Sequence, residues 1–373
     1  MRVALLTPYF LPTIGGAELY VYDLARFLIK HGHQASILTT NIYQRKQANL
    51  PSVERITHIP VRRFKVLGFS RKLTRFFISM YIPKDNVALE VKRKGFNLLH
   101  FHNVTDMTFP VALWNIKVPK ILTCHTLFEV INYHYMIGPR LYFFKKILQN
   151  MDFIHVLTLK DFMTLKHLGV DSKKIFVIPP GISVTKFYSS ERKGNTLLFV
   201  GRIAPTKSIE TLLEALLRIK SDCQLWVAGP IQDKKYFVWL KNRYFNKLKN
   251  KVRILGPLSS SELLEVYAKA DIFVFPSKAE TFGLVLLEAM ASSLPVVSTD
   301  VGAARELIKD WENGFIVPIN DWKTMAERIN LLLTDDNLRR KMGKNNRKLI
   351  EKDYDINVNF EKLLALYEQI CIK

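Results

Sequence analysis

The sequence is poor in cysteine and in acidic residues. Its 373 residues include three cysteines, Cys124, Cys223 and Cys371, which lie far apart and form no CxxC pair. This pattern indicates neither a disulfide framework nor a cysteine zinc site and is typical of a reducing cytosol. Against 55 Lys and Arg stand 33 Asp and Glu, a formal net charge of +22. The imbalance excludes an acidic, solvating protein and predicts polyanionic partners such as nucleic acid, an anionic membrane or phosphorylated substrates.

Long apolar runs and low-complexity tracts are missing as well. No stretch approaches 18 uncharged apolar residues, and the apolar run at residues 1–6 is shorter than the core of a signal peptide. We therefore expect a protein that does not span a membrane. The composition, 48% hydrophobic and 24% charged, is that of a globular protein. The length predicts about two or three domains.

The positive charge is concentrated in the first half. Residues 1–190 carry 26 basic and 10 acidic side chains, whereas residues 191–373 carry 29 and 23. Within the first half, residues 45–94 hold 13 basic and three acidic side chains. Such a run is either a solvated surface or a surface for a polyanion.

Short apolar, β-branched runs alternate with amphipathic stretches in both halves, which predicts an α/β fold. A Pro-, Gly- and Ser-rich segment around residues 179–195 separates the two halves, and its composition predicts an interdomain linker. We expect two facing Rossmann-like domains, residues 1–185 and 193–354, with ligands outside the carboxyl ends of the strands. The expected strands are 2–7, 34–40, 97–102, 120–125, 153–157, 175–178, 196–201, 224–228, 252–255, 271–275, 295–298 and 315–317.

Three strand-to-helix loops contain candidate ligand-binding residues. The first holds Gly15 and Gly16, where the backbone can approach a ligand and a helix start attracts phosphate. The loop after residues 196–201 holds Arg202 and Lys207, two cations suited to a diphosphate. A plain turn and ordinary surface cations are the alternatives at these two loops.

The third loop follows the expected strand 271–275. It carries Glu280, and Glu288 lies in the apolar helix that comes next. Carboxylates that interrupt an apolar face need a partner. Their eight-residue spacing carries no information by itself, so their position after a strand is the argument for a site.

Two further patterns raise the question of a metal. His100 and His102 alternate on one strand and His125 closes the next, but no third ligand has a fitting spacing. Asp353 and Asp355 form a D-x-D string away from any strand end, which we interpret as a solvated helix boundary. We expect no metal site.

Together, Gly15-Gly16, His125, Gly201-Arg202, Lys207, Pro276-Ser277, Glu280 and Glu288 resemble glycosyltransferase family 4, the retaining, nucleotide-sugar-dependent enzymes with the GT-B fold. The resemblance covers essentially the whole chain. It implies that Arg202 and Lys207 neutralise the donor diphosphate, that Glu288 binds the ribose hydroxyls, and that Glu280 holds hydroxyls of the transferred sugar. It further implies that His125 reaches the donor sugar.

The resemblance also implies the remaining features of the fold and the donor site. A C-terminal helix, residues 355–373, would cross back to the first domain. Catalysis would be metal-independent and would need no cofactor beyond the NDP-sugar donor, because cations and helix dipoles stabilise the departing diphosphate. The implied donor-binding residues, besides Glu288, are Gly15, Gly16, Gly201 and the backbone of Phe282, Gly283, Leu284 and Val285. Three positions depart from the family pattern: Ser183, Ser208 and the pair Gly302-Ala303.

The acceptor is expected on the basic first domain. Residues 69–82 place aromatic and aliphatic side chains on one helical face, and residues 140–146 also mix aromatics with cations. These features fit an interfacial helix on anionic lipid, although a core-facing helix is the alternative. The expected membrane or acceptor cations are Arg62, Arg63, Lys65, Arg71, Lys72 and Arg75.

We therefore predict a retaining transferase at the cytoplasmic face of a membrane, with a lipid-linked or phospholipid acceptor and with nucleic acid not among its partners. Retention is expected by same-face attack with the leaving phosphate as base, because no carboxylate is convincingly placed as a nucleophile. Three alternatives stay open: a soluble transferase making an oligo- or polysaccharide, a nucleic-acid-binding protein, which lacks a recognition module here, and a sugar-nucleotide epimerase.

Overall fold

The computed structural model divides into two compact units. The first unit contains Met1–Pro180 and Asn359–Lys373, and the second contains Gly181–Val358. The structure describes residues 1–13, 15–43, 46–67, 82–103, 108–125, 139–190 and 194–371.

In the described part of the chain, the first unit is built on an eight-stranded sheet. All neighbours pair in parallel except the last two strands, which are antiparallel. Across the sheet the strands are Ile175–Val177, Phe153–Val156, Lys120–Cys124, Leu98–His102, Arg2–Leu6, Gln34–Thr40, Ile59–Phe64 and Val53–Ile56. The short pairs are Ile42–Tyr43 with Lys46–Gln47 and Val66–Leu67 with Ile82–Pro83. The helices are Gly16–Lys30, Val87–Lys94, Thr108–Ala112, Pro139–Asn150, Leu159–His167 and Ile356–Cys371.

Apolar runs determine where these elements lie. The strands Leu98–His102 and Lys120–Cys124 are buried along their whole length, as expected for central strands covered on both faces. The helix Gly16–Lys30 buries Tyr20, Leu24 and Leu28, which repeat every four residues and so form one face.

The second unit contains a six-stranded parallel sheet. In spatial order its strands are Val252–Gly256, Gln224–Ala228, Thr196–Val200, Ile272–Phe275, Val296–Thr299 and Gly314–Val317. The helices are Ile209–Leu216, Lys234–Leu240, Ser260–Lys269, Leu284–Ala291, Ala304–Leu307, Trp322–Thr334 and Asp336–Asp353. The helix Lys234–Leu240 continues through a π-helical turn, Lys241–Phe245, into Asn246–Leu248. Among the helices that the structure describes, none is long and apolar enough to cross a membrane.

The C-terminal helix Ile356–Cys371 packs on the first unit, as the GT-B fold requires. It buries Phe360, Leu363 and Tyr367. The Phe360 ring lies 5.3 Å from that of Tyr20, edge to face, and the Tyr367 hydroxyl bonds His100. The architecture of two Rossmann-like units with a returning helix is confirmed.

Each expected strand is present, but the structure adds elements that the pattern did not reveal. They include the strands Val53–Ile56 and Ile59–Phe64, and the continuous helical segment at residues 234–248. Both regions are dense in Lys and Arg, which interrupts the alternation or the helical period of their apolar residues. The expected helix at residues 69–82 lies outside the described residues, except for its last residue, which is in a strand.

Candidate functional site

The two cation- and carboxylate-bearing loops of the second unit meet at a switch point of its sheet. Strands Thr196–Val200 and Ile272–Phe275 are parallel neighbours, although two other strands separate them in the chain. Such a point opens a crevice at the carboxyl ends of the strands. Here the Lys278 backbone N–H donates to the Thr206 carbonyl at 2.8 Å. The two loops are therefore fixed to each other.

Lys207 and Glu280 form the centre of this arrangement. The Lys207 ammonium, whose residue is 8% exposed, donates to a Glu280 carboxylate oxygen and lies 5.5 Å from the centre of the Phe275 ring. A buried cation needs such a counter-charge, because desolvation alone would strongly disfavour it. Arg202, by contrast, is exposed and forms no ion pair with a described residue. Its guanidinium is available for a ligand anion.

Ser208, which departs from the family pattern, has a backbone conformation that favours glycine. Its φ of +49° and ψ of 43° lie in the left-handed region, which disfavours side chains with a Cβ. The Ser208 hydroxyl is buried and lies 2.8 Å from the Thr211 hydroxyl at the start of the next helix. Ser208 thus occupies a left-handed position, and its hydroxyl forms a local hydrogen bond with that of Thr211.

Glu288 is held by a residue that the sequence did not single out. Tyr267, fully buried on helix Ser260–Lys269, donates its hydroxyl to Glu288 Oε2 at 2.7 Å. Burial raises the pKa of Glu288 to about 7, although the bond from Tyr267 acts against this shift. Tyr267 and Glu288 are 21 residues apart on different helices, so no local pattern links them. The carboxylate is positioned with one oxygen engaged.

The helix carrying Glu288 begins at the same loop. Gly283 is its N-cap with φ +92°, and the first N–H groups, those of Leu284 and Val285, have no acceptor within the helix. The Phe282 carbonyl accepts from the Ala303 N–H at 3.0 Å. A Cβ on Gly302 would lie 2.6 Å from that carbonyl oxygen, so this glycine permits the close approach. Gly201 directly follows strand Thr196–Val200 at the same edge.

The first unit places His125 beside a second histidine. His125 Nε2 lies 3.2 Å from His102 Nδ1, and the Tyr20 ring meets His125 edge to face at 5.2 Å. Burial lowers the pKa of His125 to about 3 and holds the pKa of His102 well below its usual range. Both rings are therefore neutral at pH 7. Gly15 and Gly16 begin the helix that carries Tyr20.

A chain of hydrogen bonds crosses the same sheet. His155 Nε2 lies 2.7 Å from the Ile178 carbonyl, which only accepts, so the neutral ring accepts at Nδ1 from the Thr123 hydroxyl at 2.7 Å. Thr123 in turn accepts from His100 Nε2 at 2.6 Å, and His100 Nδ1 accepts from Tyr367. Burial holds the pKa of His100 well below its usual range and lowers that of His155 to about 4, consistent with neutral rings. Among the described residues, no group of His, Cys, Asp and Glu is arranged to hold a metal ion.

One expected membrane or acceptor residue is wrong. Arg63 is 2% exposed, forms an ion pair with Glu54, and donates to the Leu11 carbonyl at 2.7 Å. Because this guanidinium is enclosed in the protein, it cannot present its charge to a lipid surface. Arg62 lies 3.6 Å from the Asp85 carboxylate, and Lys65 is exposed. The other expected cations, Arg71, Lys72 and Arg75, lie outside the described residues.

Comparisons with known families identify the family of the chain. The family described as Glycosyltransferase Family 4 matches residues 14–186, and the one described as Glycosyl transferases group 1 matches residues 185–349. The chain belongs to glycosyltransferase family 4. This glycosyltransferase is similar over most of its length to curated and solved relatives.

Three of these relatives show how similar the chain is to known glycosyltransferases and to a solved structure. An uncharacterized glycosyltransferase of Methanocaldococcus jannaschii is 27% identical over 94% of both chains. The phosphatidyl-myo-inositol mannosyltransferase of Mycobacterium leprae is 26% identical over 100% of this chain and 97% of its own. The Anabaena protein HepE, crystallised with UDP, superimposes with a TM-score of 0.82 at 18% identity, covering 99% of this chain and 100% of that one.

Proposed function

We propose that this glycosyltransferase moves a sugar from an NDP-sugar to an acceptor hydroxyl with retention at the anomeric carbon. The observation that carries the proposal is the Lys207–Glu280 ion pair at the switch point, with the exposed Arg202 in the same loop as Lys207. This arrangement suits a substrate that joins a hydroxyl-rich sugar to a diphosphate. The relative HepE was crystallised with UDP, which supports a nucleotide-sugar donor.

Each charged group has a distinct task in this proposal. Lys207 and Arg202 stabilise the negative charge that develops on the leaving diphosphate, and the N-terminus of helix Leu284–Ala291 adds its dipole. Glu280 accepts hydrogen bonds from the sugar hydroxyls. Glu288 accepts from the ribose hydroxyls with the oxygen that Tyr267 leaves free. These groups take the electrostatic role that a metal ion would otherwise have, so we propose metal-independent transfer.

The contacts of Glu280 and Glu288 also bear on how the transfer could retain the configuration of the anomeric carbon. Glu280 is engaged with Lys207, and Glu288 with Tyr267. A double displacement needs a carboxylate free to attack the anomeric carbon. We therefore favour attack on the same face as the leaving group, with the departing phosphate accepting the acceptor proton.

For the acceptor we propose a lipid-linked or phospholipid hydroxyl at a membrane surface. The helix Pro139–Asn150 of the first unit exposes Tyr142, Lys145 and Lys146, and the Lys146 ammonium lies 5.6 Å from the Tyr142 ring centre. Cations beside an exposed aromatic ring suit a headgroup layer. The relative named as a phosphatidyl-myo-inositol mannosyltransferase supports a lipid acceptor.

The test begins with the donor. A thermal-shift screen of UDP-, GDP- and ADP-sugars should yield a stabilising nucleotide sugar, and Glu288→Gln should weaken that stabilisation. The exposed Glu265→Gln is the matched control on the neighbouring helix. With the donor known, transfer to phospholipid extract is measured with and without EDTA, and the product anomer is read by NMR. Full transfer by Glu288→Gln, or an inverted anomer, would refute the proposal.

A further inference from the structure

The second unit carries a basic surface of its own. Residues 234–253 include eight Lys and Arg and no Asp or Glu. The 29 basic and 23 acidic residues of the second half fall to 21 and 23 when this stretch is set aside. The whole positive excess of that half is therefore confined to one segment. Its helical part, residues 234–248, is called the basic helix below.

The basic helix has one buried and one exposed face. Leu240, Tyr244 and Leu248, spaced by four, are buried against the unit. On the outside, Val238 is 54% exposed and Trp239 is 44% exposed. The exposed lysines of the basic helix are Lys234, Lys235, Lys241 and Lys247.

Trp239 is exposed but held in place. Its ring stacks on that of Tyr236 at 5.9 Å and meets Tyr244 edge to face at 5.9 Å. The Arg243 guanidinium lies 5.9 Å from its centre. An indole fixed in this way loses little conformational entropy when a partner covers it.

Most of the cations in residues 234–253 lack a counter-charge. Arg243 lies 3.8 Å from Glu214, whereas the other seven cations of residues 234–253 form no ion pair with any residue that the structure describes. A surface of unpaired lysines around exposed Trp and Val side chains is complementary to anionic lipid, because the lysines reach the headgroups while the apolar side chains enter the interface. A nucleic acid would neutralise the charge, and a base could stack on Trp239, but the exposed Val238 would be left without an apolar partner. The charge and the apolar residues together favour a membrane.

We propose that the basic helix is a second attachment site for anionic phospholipid, on the donor-binding unit. It is separate from the acceptor surface proposed above and does not depend on the transfer chemistry. Binding should therefore persist in Glu288→Gln, whose donor site is impaired. A failure of the proposed function and a failure of this inference are thus distinguishable.

The test measures sedimentation of the full chain with phosphatidylcholine vesicles, with and without phosphatidylglycerol. Each cation near an anionic surface contributes about 1 kcal/mol, or about fivefold, so neutralising Lys235, Lys241 and Lys247 to Gln should weaken binding by about a hundredfold. The matched control neutralises the exposed Lys341, Lys344 and Lys348 on helix Asp336–Asp353 and removes the same charge. Equal losses in the two triple variants, or no loss in the first, would overturn the proposal.

A second readout separates lipid from nucleic acid. Vesicles with brominated acyl chains should quench wild-type tryptophan fluorescence more than that of Trp239→Phe, because Phe keeps the aromatic packing but not the indole signal. Equal quenching of the two proteins would overturn membrane contact at the basic helix. So would a loss of duplex oligonucleotide binding in the Lys235, Lys241 and Lys247 variant without any loss of vesicle binding.

Discussion

Replacing Glu288 by Gln should make the stability of the enzyme less dependent on pH between pH 5 and pH 8, and should weaken the proposed donor binding. Glu288 is a half-buried residue, and desolvation of its carboxyl raises the pKa from 4.5 to about 7. The folded state therefore binds this proton more tightly than the unfolded chain does. Stability from this group is fully present below pH 4.5 and is lost as the pH rises through 7. Gln carries no titrating proton and keeps an oxygen for the Tyr267 hydroxyl.

The magnitude follows from the two pKa values. Between pH 5 and pH 8 the shift costs wild type about 2 to 3 kcal/mol, at 1.36 kcal/mol per pKa unit. In a unit of this size, that corresponds to a change in Tm of about 5 to 10 °C. In the variant, the Gln amide N–H replaces a carboxyl oxygen, and this lowers the stability of the variant by an amount that does not depend on pH. The informative quantity is therefore the change in the Tm difference with pH.

Thermal unfolding of both proteins, followed by calorimetry from pH 5 to pH 8, measures this change. The Tm of Glu288→Gln should rise relative to wild type across the range, while Glu265→Gln, an exposed change on helix Ser260–Lys269, should follow wild type. If the Tm of Glu288→Gln and that of wild type changed in parallel with pH, the raised pKa of the Glu288 carboxyl would be refuted. In wild type, donor KM should also rise below pH 7, because the protonated carboxyl accepts more weakly from the ribose.

Three further outcomes are expected. Lys207→Met should lower kcat/KM by about a hundredfold or more, because it removes a cation from the leaving diphosphate; unchanged turnover would contradict its role. Ser208→Gly should change the free energy of unfolding by less than about 1 kcal/mol, whereas Ser208→Val should lower it by about 2 kcal/mol, because φ there is +49°; equal effects in urea melts would argue against the left-handed loop. Tyr367→Phe should lower stability by about 1 to 3 kcal/mol because His100 Nδ1 loses its buried donor; an unchanged melt would contradict the bond.

The elements that build the candidate site were predictable because their signals are local. Buried parallel strands are continuous apolar runs, and a cation or carboxylate directly after such a run must lie at the carboxyl edge of the sheet. Lys207 and Glu280 therefore lie in the expected loops. The strand Ile59–Phe64 was not expected, because its cations hide the alternation, and burial of Arg63 could not be inferred without knowing its partner Glu54.

The sequence by itself determined the two-unit α/β architecture, the family and the loops that contain the candidate site. The tertiary structure decided which distant residues meet and which stay exposed. Tyr267 donates a hydrogen bond to Glu288, Tyr367 donates one to His100, and Trp239 lies on the exposed face of the basic helix. Strand and loop signals repeat over a few residues and can be read along the chain. Hydrogen bonds and burial depend on which distant segments meet, and only folding brings those segments together.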